Sequence, residues 1–222
     1  MKRKYTVPGE LTLLTGVILI SFAITLMVKA DFGISTISSL PYVLSIAFPQ
    51  ISFGIWNPMF HVSLLIILLL ITRHIKTGYV ISLLMSAMFG FVIDIFDWLL
   101  ASLPTNLSFR ILYIVVSYVI MCFAISLMVN SKIPLMIVDS FINDLTQHFK
   151  VTFRRFKTIF DISCLTLSII LSYLFIGELV GVGIATIIMA FITGSGVHVV
   201  THLLRKIIVI RPWSKTLTDM TH

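Results

Sequence analysis

Six long apolar runs are separated along the chain by short connections rich in Gly, Pro, Asn, Ser and basic residues. The runs predict helices over 11–29, 54–72, 78–100, 109–130, 157–177 and 182–204, each close to the ~20 residues that cross a bilayer. Hydrocarbon offers no partner to a free backbone N–H or C=O, so a helix is the form in which such a run can span it. The expected fold class is an all-α polytopic membrane protein with six transmembrane helices.

Composition agrees and narrows the function. Hydrophobic residues make up 58% of the 222 and charged residues 11%, against about 25% charged in soluble domains. Six crossings leave no length for a soluble domain, which excludes cytosolic enzymes and extracellular modules. The net charge of +7 reports orientation in the bilayer rather than nucleic acid as a partner. With the amino terminus inside, Lys2, Arg3, Lys4, Arg73, Lys76, Lys132, Lys150, Arg154, Arg155, Lys157, Arg205, Lys206, Arg211 and Lys215 all fall inside. Only Lys29 and Arg110 fall outside. The expectation is an inner-membrane protein with both termini cytoplasmic. The first run is longer than the roughly 7–15 residues of a signal core, which argues against cleavage. Cys122 and Cys164 lie inside apolar runs and read as packing residues, not a disulfide or metal pair.

The chain also repeats itself. Phe22-Ala23-Ile24-Thr25-Leu26-Met27-Val28 returns as Phe123-Ala124-Ile125-Ser126-Leu127-Met128-Val129, with a single Thr/Ser exchange. The match continues with Phe53, Phe60, Ser63 and Leu65 against Phe153, Phe160, Ser163 and Leu165, then Met85 and Gly90 against Met189 and Gly194. This predicts a first three-helix repeat over 1–104, a second over 105–213 and a cytoplasmic tail over 214–222. Three crossings are an odd number, so the second copy enters the bilayer from the opposite side, as in many transporters. After its first helix each repeat carries a segment too long for a turn and too polar to span, 31–41 and 131–143. Both read as short extra half-helices, entered at Gly33 and at Pro134, that either dip into the membrane or lie on its surface.

Gly33, Gly54, Trp56, Asp139, Arg155, Lys157, Thr186 and Gly194 form a pattern that resembles the YczE/YitT/YyaS-type family of bacterial integral membrane proteins, over the chain to about Trp213. The first-half acid of that pattern is replaced by Ser38, and the Pro of the half-helices by Thr36 and Ile137. The resemblance implies a membrane fold and location; it implies no particular substrate.

Ionisable groups at membrane depth are costly and mark functional candidates. Here they are Asp94, His61, Asp161 and His198, with Asp139 in the second short segment. The repeat makes His61 the counterpart of Asp161 and Asp94 that of His198, so each pair joins a carboxylate to an imidazole and suits proton coupling. Asp94 has no cation at helical spacing. Asp161 stands one turn after Lys157, where an ion pair is the alternative reading. Asp97 beside Trp98, and His202, read as interfacial groups. Ser38, Trp56, Asn57, Asn143 and Ser195 are candidate solute contacts. His198 and His202 have the spacing of two metal ligands but lack a third. Gly194-Ser195-Gly196 reads as a packing surface rather than a hydrolase site. Pro58 reads as the first-turn proline of its helix.

The expected function is a small secondary transporter of a small polar organic solute, proton-coupled, with its site between the inverted repeats, no cofactor, no metal and no enzymatic activity. A symmetric channel, a substrate-binding subunit of a larger transport complex and a non-transporting sensor or scaffold are the alternatives. The expected partners are the solute and the lipid bilayer, and a homo-oligomer is compatible with the sequence.

Overall fold

A computed structural model of the chain describes residues 5–131, 133 and 136–211. Lys132, Pro134 and the 214–222 tail lie outside the described residues, as do Lys2, Arg3, Lys4, Trp213 and Lys215. In chain order the elements are β1 (Tyr5–Pro8), α1 (Gly9–Ala30), α2 (Thr36–Ala47), α3 (Phe53–Thr72), α4 (Gly78–Leu99), α5 (Leu107–Asn130), α6 (Ile137–His148), α7 (Phe153–Phe175), α8 (Ile184–Ile207) and β2 (Ile208–Arg211). The helices α1, α3, α4, α5, α7 and α8 are long and apolar enough to cross a membrane. The chain is therefore a multi-pass, nearly all-helical membrane protein.

The helix starts fall within four residues of the sequence expectation, and two of the differences have a visible cause. Ser52 caps α3 by accepting a hydrogen bond from the Ile55 N–H at 3.2 Å, so α3 begins at Phe53. Pro58 consequently lies inside the helix, past its first turn. The start of α7 is at Phe153, ahead of the predicted 157, because Arg154 and Arg155 interrupt the apolar pattern without interrupting the helix.

The segments carrying the repeated motif, in α1 and α5, cross at the centre of the bundle. Gly16 lies where any Cβ would meet the Met128 side chain, and Ala23, Met27 and Ala124 are fully buried. Hydroxyls then clip each central helix to a neighbour. Ser21 Oγ donates to the Phe89 carbonyl of α4 at 3.2 Å, and Ser126 Oγ donates to the Val197 carbonyl of α8 at 3.1 Å. In apolar surroundings such bonds hold helices that hydrophobicity alone would not draw together.

The two short helices lie later than the sequence segments suggest, over 36–47 and 137–148; before the first of them, residues 31–35 run non-helically into the bundle. The start of α6 is deep. Ile137 N–H reaches Ser86 Oγ at 3.5 Å, and Ser86 is eight residues into α4, about 12 Å from its start. Ser140 then meets Ser82 at 3.4 Å, and Asp144 meets Lys76 and Tyr79 at the end where α4 begins. So α6 climbs back out along α4 instead of lying on a surface. The other short helix, α2, behaves likewise from the opposite end. Ser39 Oγ pairs with Ser168 Oγ at 2.8 Å, seven residues or about 10 Å inside the end of α7, and Phe48 stacks edge-on against Phe175. The approach to α2 is pinned to the start of α8 and the loop before it: Ile34 N–H donates to Gly181 O and Ala185 N–H to Phe32 O, both at 3.0 Å. Gly33, at φ 100°, leaves no room for a Cβ beside Thr186 and Gly183.

The packing is interlocked. The short helix α2 rests on α7 and α3, α6 rests on α3 and α7, α4 flanks α1, and α8 flanks α5. One pairing lacks its counterpart. The helices α3 and α4 are tightly apposed, Gly54 and Gly90 each standing where a Cβ would strike the other's carbonyl. By contrast, α7 and α8 make no comparable contact, and Gly194 faces open space. A short parallel ladder joins β1 to β2, which brings the start of α1 and the end of α8 to the same end of the bundle. That end also carries Arg73, Lys76, Lys150, Arg154, Arg155 and Lys157, and is called the basic end below.

Candidate functional site

At the end away from the basic residues, the start of α3 meets the last third of α4. Asp94 is held there on both oxygens: Ser52 Oγ donates to Oδ2 at 2.6 Å and the Gly54 N–H to Oδ1 at 2.9 Å. The bare approach of α3 to α4 at Gly54 and Gly90 permits this, and the amino terminus of α3 favours the negative charge. Asp94 is therefore not the unpartnered carboxylate that its surroundings in sequence imply. Its partners are neutral donors at the start of α3, and His198 is not among them: it lies on an exposed face of α8.

Beside this clamp is a recess of about 350 Å³, whose lining includes Thr25, Lys29, Tyr42, Ser45, Ser52, Phe53, Asp94 and Asp97. All of its lining residues fall between Thr25 and Asp97. Asp97 is 58% exposed and faces Lys29 Nζ at 3.5 Å, an interfacial pair as its position suggests, worth little by itself. Tyr42 and Phe53 form an edge-to-face pair with centroids 5.3 Å apart on one side of the recess. Just outside, Arg110 ties α5 to α1: it donates to Ala30 O at 2.7 Å and to Asp31 Oδ2 at 2.9 Å, with its guanidinium 4.9 Å from the Phe32 ring.

A second polar group lies toward the basic end. Asp139 is in the first turn of α6, set back in the bundle yet with an accessible side chain. Desolvation at that depth pushes its carboxyl up to about 6, with the Lys157 charge opposing. Lys157 itself pairs with Asp161 at 3.2 Å along α7, so the local ion pair is the arrangement adopted. Below them Asp144, buried, takes the Lys76 ammonium at 2.8 Å and the Tyr79 hydroxyl at 2.6 Å. This latch fixes the outer end of α6.

The remaining sequence candidates scatter. His61 is 3% exposed, lies near-parallel to the Phe89 ring, and its Nδ1 has no hydrogen-bond partner among the described residues. It sits on α3, whereas Asp161, its counterpart, is on α7, paired with Lys157. Asn57 is 2% exposed and spends its amide on the Phe53 carbonyl at 2.8 Å. Trp56 Nε1 is likewise buried without a partner. Ser38 is buried in α2, while Asn143, Ser195 and His202 are exposed on α6 and α8. The structure thus gathers Asp94 into a recess and sets Asp139 and Asp161 around Lys157; it does not bring His61, Asn143, Ser195 or His198 to either place. Sequence reasoning missed Ser52, Lys29 and Tyr42. Ser52 carried a usable signal, a helix-capping Ser just before an apolar run.

Residues 7–202 match a family of unknown function, DUF6198, and the chain belongs to that family. No curated protein and no solved structure matches it.

Proposed function

We propose that this member of a family of unknown function is a secondary transporter that moves a small polar organic solute, coupled to protons, between two inverted repeats. The observation that carries the reading is the pair of short helices that start at depth from opposite ends of the bundle, each seated on a spanning helix of the other half. Irregular backbone at membrane depth is tolerated where it is buried or lines a path, and inverted halves with broken helices are a recurring transporter plan. The polar recess at Asp94 is then the mouth of the solute path at one end, and the group around Asp139 and Lys157 its mouth at the other. The closed α3/α4 seam and the parted α7/α8 pair are two states of one repeated joint, exchanged as access alternates. The basic end is cytoplasmic by the positive-inside rule, both termini lie there, and the membrane is the bacterial plasma membrane. The resemblance to YczE/YitT/YyaS-type proteins fits the same reading.

The test is proton-driven uptake by purified protein in sealed vesicles, wild type beside Asp94→Asn and Asp139→Asn. Loss of gradient dependence in the folded variants supports the reading. Wild-type uptake with unchanged pH dependence in both would make these carboxylates structural.

A further inference from the structure

The recess beside Asp94 also carries information about what enters it. Asp97 already has Lys29 as its partner, so the one cation of the recess is spoken for. Asp94 is held by two neutral donors, and a carboxylate has about four acceptor positions, so it keeps acceptor capacity, and among the described residues it forms no ion pair. Tyr42 and Phe53 present aromatic surface to the same space. An anion entering would meet two carboxylates, whereas a positive nitrogen would find a fixed counter-charge and aromatic faces, the combination that recognises ammonium groups. The lining hydroxyls of Thr25, Ser45 and Ser52 suit a short hydroxylated tail.

We infer that the recess binds a small organic ammonium ion, with Asp94 as counter-ion and Tyr42 and Phe53 as an aromatic wall. This names the solute class for the transport reading and rests on that reading only for the passage of the ligand across the membrane.

The test compares choline with its neutral isostere 3,3-dimethylbutan-1-ol, by calorimetric titration of purified protein in detergent. Saturable choline binding with none for the alcohol is expected, and Asp94→Asn should weaken choline at least about tenfold, the equivalent of one lost favourable contact of ordinary size. Phe53→Leu, which keeps an apolar side chain but removes the ring, should weaken choline severalfold without depending on the fate of the Asp94 clamp. Equal binding of the alcohol, choline affinity unchanged in both variants, or no binding of choline, ethanolamine and tetramethylammonium would each overturn the inference. Vesicle flux separates the two claims. Proton-driven accumulation of an anionic or neutral solute alone would leave transport standing and overturn the ammonium site. Saturable choline binding without flux of any solute would keep the site and overturn transport.

Discussion

Gly54 and Gly194 are both glycines in helices of the bundle, and the structure gives them opposite fates on substitution by alanine. A Cβ on Gly54 would meet the Gly90 carbonyl oxygen and the Asp94 carboxyl carbon. Neither can swing aside, since one is helix backbone and the other is pinned by two hydrogen bonds. Overpacking costs about 1–3 kcal/mol, and forcing the Asp94 clamp apart adds about 1.5–3 kcal/mol for hydrogen bonds to a charged group. At Gly194 a Cβ meets nothing within 4 Å, and exchanging Gly for Ala inside a helix gains about 0.5–1 kcal/mol. Thermal unfolding in detergent, followed by helical circular dichroism, reads both. At roughly 2–4 °C per kcal/mol for a chain of this size, Gly54→Ala should lower Tm by roughly 5–25 °C and Gly194→Ala should leave it level or slightly higher. Equal losses at the two sites, or a larger loss at Gly194, would refute the reasoning and with it the difference between the α3/α4 seam and the α7/α8 pair.

Three further outcomes follow from the same geometry. Asp139 has its carboxyl raised from 3.8 to about 6, so the folded state favours the protonated form; that contribution is whole below pH 3.8 and is lost as pH rises through 6. Asp139→Asn, which mimics the neutral acid, should therefore gain stability relative to wild type at pH 8 and none at pH 4, and Tm measured across that range checks it. Arg110→Ala removes the bonds to Ala30 and Asp31 and should lower Tm by several degrees, about 1–2 kcal/mol, while Lys29→Ala, on an exposed pair, should cost less than about 1 kcal/mol. Cysteines placed at Ser102 and Glu178 should react with an impermeant thiol reagent from outside intact cells, and a cysteine at Lys76 only after permeabilisation; outside labelling at Lys76 would contradict the topology.

The six spans were legible because a bilayer sets both their length and their apolarity, and the sequence departs from the structure only at their ends, as at α7, where Arg154 and Arg155 mask the start. The existence of two extra short helices was legible from length and polarity, but not their depth. That depends on Ser39 finding Ser168 and Ile137 finding Ser86, contacts between residues far apart in the chain. The same limit applies to the site. Asp94 stood out as a carboxylate in an apolar run, yet its meaning rests on Ser52 and Gly54 some forty residues away, and the recess needs Lys29 and Tyr42 from two other helices. The strand over 208–211 hides in a β-branched run that continues the last helix, and only its pairing with β1 turns it into a strand.

The account stands most directly on whether the protein by itself moves solute uphill. Purified protein in sealed vesicles, given a proton gradient of imposed sign and a labelled panel of organic ammonium ions, amino acids and vitamins, should concentrate at least one solute above its equilibrium level. Collapse of the gradient with an ionophore should release it. Flux that only equalises concentrations would describe a channel, and absence of flux for every solute under either sign of gradient would contradict transport by this chain.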